Sequence, residues 1–358
     1  MSLEDQIDKK IGEVRTEPLD LSFGEIANLR KNNELIIQPE YQRLFRWEVE
    51  QKSRLIESIL IELPIPQIFV IENSDGVYEL IDGLQRISSV LQFVDPGAIG
   101  LDGFTLEGCD IIKDLNGKAY SDLPMSLKLR LKRSTLRTIV IKRQSKSFLR
   151  YEMFKRLNTG GALLSPQEIR NCSARMLGDQ GATFYAFLKE LADVPGFKTT
   201  TQTLAQEDLD QKANEELVLR FLAAKNFRPA FRGSVRDWLD EFMEGILLGT
   251  TTFDTRSEKD LFAELFAEIA AKLGETAFVK FRGQNPIGGL APAYFEAVSI
   301  GSFNAMAELK SKQGQRVKDA VIRAVQSESF RNVTGGSANT KSKLESRIQI
   351  ITDAIKNA

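Results

Sequence analysis

Apolar positions in the first half of the chain alternate between helical stripes and short continuous runs. Val49, Ile56, Ile59, Leu60 and Leu63 fall on one helical face, and Glu50 with Arg54 makes an i,i+4 pair. Residues 48–63 are therefore predicted to be an amphipathic helix, ended by Pro64 and Pro66. Gln67 to Glu72 and Val77 to Ile81 have strand length and composition, and Asn73-Ser74-Asp75-Gly76 between them is a hairpin signal. Leu84, Ile87, Leu91 and Val94 recur at 3-4-3 spacing, so a helix starts at about Leu84, directly after Gly83. Upstream, residues 20–31 are predicted helical with Ser22 as a cap, and Leu35 to Ile37 a short strand. Residues 95–120 are rich in Gly and Asp and read as a loop with at most one strand. Helices follow at 121–133, 147–157 and from Pro166, with a strand at 135–142. Beyond about residue 175 strand signals fade and long helical segments dominate, at 180–192, 207–226, 234–248, 256–274, 315–327 and 341–356. The pattern predicts an α+β protein: an α/β domain over 15–175 and a mostly α-helical domain over 176–358.

The 358 residues suit about two domains. No apolar run approaches the roughly 18 residues needed to span a bilayer, so no membrane partner is expected. The start, Met-Ser-Leu-Glu-Asp-Gln, does not read as a secretion signal, and Cys109 with Cys172 are too few for a disulfide framework. A cytoplasmic location is expected. Histidine is absent, which excludes a Ser-His-Asp triad, a Cys-His dyad, a zinc-His site and an HNH-type nuclease centre. Acid–base work would fall to Asp, Glu, Lys, Tyr or water. A divalent metal would need oxygen ligands, which favours Mg²⁺.

Net charge is −1, yet Leu127 to Arg150 contains Lys128, Arg130, Lys132, Arg133, Arg137, Lys142, Arg143, Lys146 and Arg150 with no Asp or Glu. Lys128, Lys132, Arg133, Lys142 and Arg143 are candidates to track a nucleic-acid backbone. The other reading is a solvated face whose charges meet the acid-rich remainder of the protein.

Three further segments carry candidate chemistry. Tyr78-Glu79-Leu80-Ile81-Asp82-Gly83-Leu84-Gln85-Arg86 is a strand, a glycine turn and a helix start, a place receptive to phosphate through unpaired N–H groups and the positive dipole end. Arg86 adds a forked donor. Tyr41-Gln42-Arg43-Leu44-Phe45-Arg46-Trp47 sets two arginines among aromatics, either for phosphate and base contact or to anchor a loop. In Leu157-Asn158-Thr159-Gly160-Gly161, followed by Ser165-Pro166-Gln167-Glu168-Ile169-Arg170-Asn171, Ser165 and Glu168 form a capping box. The Asn-Thr-Gly-Gly turn either offers N–H groups to an anion or ends a helix. Thr334 to Lys343 is Gly- and Ser-rich and lacks P-loop spacing.

Taken in order, Pro39 to Trp47, Ser58-Ile59 through Leu63-Pro64-Ile65-Pro66, Ile81 to Arg86, and Leu157 to Asn171 resemble the N-terminal domain of GmrSD-type restriction endonucleases, over roughly residues 20–175. That domain is similar to the ParB/sulfiredoxin fold. In the family an Asp-Gly-Gln-Gln-Arg signature marks the nucleotide-dependent site, and here Leu84 replaces its first glutamine. The resemblance implies a nucleoside-triphosphate-hydrolysing, DNA-acting component of a prokaryotic defence system. It implies Asp82, Gln85 and Arg86 as catalytic, with Asp82 also ligating Mg²⁺. It implies Arg43, Arg46, Gly83, Asn158, Thr159, Gly160 and Arg170 around a nucleotide, whether GTP, ATP or CTP. Many members carry an HNH-type nuclease domain, which a chain without histidine cannot operate, so strand cleavage is expected from the N-terminal site itself or from a separate nuclease subunit, and a methyltransferase subunit is another candidate partner. Two alternatives stay open: a nucleotide-gated DNA-binding module that does not hydrolyse, and a small-molecule phosphotransferase.

Overall fold

The computed structural model describes residues 2–5, 7, 15–37, 47–73, 75–143, 145, 152, 153, 156, 165–175, 177–336 and 339–358. The chain divides into two units, Met1–Leu163 and Leu164–Ala358. The division falls earlier than the expected residue 175, because the helix at 166–175 packs with the helices that follow it.

The first unit is built on a five-stranded mixed sheet. In chain order its elements are β1 (Thr16–Ser22), α1 (Phe23–Lys31), β2 (Leu35–Ile36), α2 (Val49–Leu60), β3 (Ile68–Glu72), β4 (Tyr78–Asp82), α3 (Leu84–Val94), α4 (Met125–Arg133) and β5 (Thr135–Ile141). The strand order is β1-β5-β3-β4-β2. The predicted hairpin is β3–β4, which is antiparallel, while β3–β5 and β2–β4 are parallel. β1, which the pattern does not predict, lies antiparallel to β5 at the sheet edge. Pro18 interrupts its strand signal, and an edge is where a strand tolerates proline. Helices α1 to α4 pack on one another, and Ile26, Ile56, Ile87 and Leu131 are wholly buried at their contacts.

Among the described residues, 95–120 contains no strand, contrary to the one allowed by the sequence. The buried carboxylate of Glu57 organises the loop instead. It accepts N–H groups from Asp110 (3.3 Å), Ile111 (3.0 Å) and Ile112 (2.6 Å). Ser53 Oγ accepts from Glu107 N at 2.9 Å. Two residues of α2 thus replace a strand ladder for this segment.

The second unit is helical: α5 (Pro166–Arg175), α6 (Asp179–Ala192), α7 (Pro195–Thr201), α8 (Gln206–Asp210), α9 (Ala213–Asn226), α10 (Val235–Leu247), α11 (Thr255–Leu273), α12 (Pro292–Asn304), α13 (Met306–Ser311), α14 (Gly314–Gln326), α15 (Glu328–Thr334) and α16 (Lys341–Lys356). The periodicity misses α12 because it is buried nearly all round and has no polar face to set a phase. It also misses a small hairpin, Lys280–Arg282 with Asn285–Ile287. Phe197, Phe221, Phe262, Phe266, Phe278 and Phe295 form a continuous aromatic core, with Phe262 and Phe266 centroids 4.3 Å apart. Among the described residues no helix is long and apolar enough to cross a membrane.

Cys109 lies in the loop that Glu57 holds. Burial first, then the charges of Glu57 and Asp110, push its thiol up to about 11. Glu57→Ala should cost about 3 kcal/mol in chemical denaturation, since three N–H groups lose a charged acceptor. The same substitution should lower the Cys109 pKa and speed its alkylation at pH 8; unchanged alkylation would contradict the anchoring role.

Candidate active site at the β4–α3 turn

Strand β4 carries one extra residue opposite β3: Val70 pairs with Leu80, but Phe69 pairs with Asp82. The bulge breaks the alternation, so Leu80 and Ile81 are both buried while Asp82 emerges half-buried. Gly83 follows at φ 101°, in the left-handed region. A Cβ there would stand 2.1 Å from Ile68 Cγ2, so both backbone angle and space require glycine. No side chain caps α3, and Ile87 N to Gly83 O (3.0 Å) is its first helical bond. The N–H groups of Leu84, Gln85 and Arg86 form the open first turn, at the positive end of the helix dipole.

Arg86 folds back over the turn. Its Nη2 meets Asp82 Oδ2 at 2.7 Å and donates to Gln67 O at 3.1 Å. Its Nε is buried with no hydrogen-bond partner among the described residues. Gln85 is buried, and its Oε1 accepts the N–H of Trp47 at 3.3 Å. Its carbonyl accepts the hydroxyls of Ser88 and Ser89. Gln85 therefore ties the end of the aromatic–arginine segment to the start of α3.

Arg43 and Arg46 lie outside the described residues, as do Asn158, Thr159 and Gly160. Both flanks of the 38–46 segment are placed. On one side Leu35 and Ile36 pair with Tyr78 and Glu79 of β4; on the other Trp47 is held by Gln85. The predicted capping box is present: Glu168 Oε2 accepts Ser165 N at 2.7 Å, and Ser165 Oγ accepts Glu168 N at 3.2 Å.

Arg170 departs from its expected phosphate-binding role. It belongs to the second unit and is 2% exposed. Nε donates to Asp240 (2.7 Å), Nη1 to Gln167 (2.9 Å) and Glu216 (3.2 Å), and Nη2 to Arg236 O (3.3 Å). Asn171 donates to Glu215 on α9. Arg220 bridges Glu216 and Glu296, each at 2.8 Å, and Arg347 reaches Glu296. The Glu-Ile-Arg-Asn motif thus fastens α5 to α9 and α10, and the Arg170 fork is fully engaged there.

The basic run resolves into neutralised and free charges. Arg137 pairs with Asp20 directly across β1–β5 at 3.2 Å, and Lys142 sits between Glu17 (3.1 Å) and Glu72 (3.2 Å), contacts that raise the pKa of both bases. Lys128 donates to Ser121 O at 2.7 Å and lies over the Tyr120 ring. Lys132 and Arg133 are exposed at the end of α4 and make no hydrogen bond or ion pair with described residues; Arg143 is also exposed. The acids that neutralise β5 come from distant strands, which sequence spacing does not reveal.

Among the described residues no three Asp, Glu or Cys side chains group to hold a metal ion. Asp82 offers one carboxylate, the donor set of a Mg²⁺ that arrives with phosphates and keeps its waters.

The sequence model described as "GmrSD restriction endonuclease, N-terminal domain" matches residues 23–174. Residues 23–174 are a GmrSD-type N-terminal domain. Its match covers the sheet from the start of α1 onward and runs on through most of α5. A comparison with curated proteins finds no match. Among solved structures, a Pnob8-like ParB-N domain aligns at 12% identity, over 94% of this chain and 99% of that one, with a TM-score of 0.28, too low to carry an argument. Within the matched residues, Asp82-Gly83-Leu84-Gln85-Arg86 turns around a left-handed glycine.

Burial pushes the Glu216 carboxyl up, but Arg220 and Arg170 outweigh it and hold the group below its ordinary value. That stability is present above the unfolded carboxyl pKa of about 4.3 and is lost as pH falls through the lower folded value. Arg170→Ala should therefore cost about 3 kcal/mol at pH 7 by urea denaturation, because it removes one of the two cations that hold Glu216 and breaks the buried bond to Asp240. The loss should shrink below about pH 4, as Glu216 protonates. A cost under about 1 kcal/mol would show that Arg170 is not a structural pin.

Proposed function

We propose that the GmrSD-type domain is the nucleotide-dependent, DNA-acting part of a restriction system, and that the Asp82–Arg86 turn receives the terminal phosphate of a nucleoside triphosphate. The observation that carries this reading is the buried, unpartnered Nε of Arg86 at an uncapped helix start. Buried donors are almost always satisfied, so an orphan at a conformationally required glycine turn calls for a ligand acceptor. A phosphate oxygen has the needed charge and fits the open N–H groups of the first turn.

On this reading, phosphate draws the guanidinium from Asp82, and the freed carboxylate orients the attacking water. Gln85 acts as a positioning residue, holding Trp47 beside the turn. Asn158 to Gly160, leading into the capped start of α5, would close the pocket. When bound, Mg²⁺ would be held by Asp82 and would neutralise phosphate charge. DNA would follow the cations Lys132 and Arg133, since Lys128 and Lys142 have protein partners. These 358 residues hold no histidine, so an HNH centre is not among them.

A second reading has its own support. Leu84 replaces the family's first glutamine, and Gln85 is engaged with the backbone, so the Asp82–Arg86 turn itself offers no uncommitted amide to position water. On that reading the nucleotide is a switch ligand. NTP hydrolysis with and without DNA tests both. Wild type should turn over, with Asp82→Ala and Arg86→Ala slower by about 100-fold. Equal rates in all three proteins would defeat the assignment, and tight binding without product would select the switch.

A further inference from the structure

Helix α2 ends against its own conformational preference. Leu63 N bonds to Ser58 O (2.9 Å) and Glu62 N to Ile59 O (3.2 Å), the paired bonds of a Schellman cap. The position between them requires a left-handed residue and is glycine in most such caps, yet here Glu62 adopts it at φ 61°. Replacing glycine by glutamate there destabilises the fold, so the side chain has to be accounted for by something other than the cap.

Glu62 lines a cleft of about 460 Å³ together with Phe23, Leu63, Ile65, Arg130 and Arg133. Arg130 is committed to the fold, because its Nη1 donates to Leu60 O at 3.1 Å and closes the end of α2. Arg133 and Glu62 have no such commitment. They carry opposite charges on one cleft, and neither side chain makes a hydrogen bond or ion pair with a described residue. A guanidinium and a carboxylate that line one cleft with Phe23, Leu63 and Ile65 suit a ligand with an anion at one end, hydrogen-bond donors at the other and a flat apolar body between. A nucleoside phosphate has that constitution: Arg133 takes the phosphate, Glu62 accepts from an exocyclic amino group, and Leu63 with Ile65 covers the base. The volume lies in the range of small-ligand sites.

We propose that this cleft, distinct from the Asp82–Arg86 turn, receives one unstacked nucleotide of a DNA strand. The proposal rests on the DNA-acting reading of the domain. The exposed, unpaired Lys132 beside Arg133 favours a strand over a free nucleotide, since it offers a second phosphate contact next to the first.

The experiment titrates the full chain into duplexes carrying 2-aminopurine at successive positions. Wild type should raise the emission of the fluorophore as it leaves the stack. Arg133→Ala should weaken the response about tenfold, the effect of one lost charge-assisted phosphate contact. Glu62→Gly should abolish or halve the response while raising Tm, because glycine suits the cap. That opposition separates a ligand-binding role from a structural one. Duplex bound with silent fluorophore, or both variants behaving as wild type, overturns the cleft alone. A failure to bind duplex overturns the DNA-acting reading with it. Free deoxynucleoside monophosphates occupying the cleft more tightly than the strand would overturn the strand as the source.

Discussion

The candidate active site depends on one steric constraint: the backbone of Gly83 passes so close to Ile68 that no side chain fits between them. The β4 bulge brings Asp82 out of the sheet, and the left-handed glycine turns the chain within one residue into α3. Carboxylate, helix N-terminus and Arg86 then share one small volume. None of these is unusual alone. Their coincidence comes from a strand and helix joined by a single residue, which leaves the polar groups no freedom to drift apart.

Arg86 and Arg170 show how surroundings decide what an arginine does. Both lie near helix starts and within the residues matched as a GmrSD-type N-terminal domain. Arg170 has every donor nitrogen engaged, and it joins Arg220 and Arg347 among buried carboxylates of the helical unit. Such a network makes the packing of α5, α9, α10, α12 and α16 mutually dependent, since Glu216 is shared by Arg170 and Arg220 and Glu296 by Arg220 and Arg347. Arg86 has one partner carboxylate and one carbonyl, and its Nε is left over. The first arrangement is closed and structural, whereas the second is open to a ligand.

Much of this was legible in the chain. Glycine turn, helix start and strand are local features, and Ser22, Ser165 and Glu168 cap where their spacing says they should. Long amphipathic helices such as α2 and α10 declare themselves by period. The failures are non-local. β1 carries a proline and is a strand only because β5 lies beside it. α12 has no polar face, so its phase is invisible. The basic run looked uncompensated because Glu17, Asp20 and Glu72 come from other strands. Arg170 looked like a phosphate ligand because its counter-charges, Glu216 and Asp240, lie tens of residues downstream.

The central claim concerns a single nitrogen, Arg86 Nε, and a crystal structure of the chain with a non-hydrolysable triphosphate analogue tests it most directly. The account predicts the terminal phosphate about 3 Å from Arg86 Nε and from the first amides of α3, with the Asp82 carboxylate released. An analogue seated elsewhere, with Arg86 still paired to Asp82 and its Nε unchanged, would contradict it.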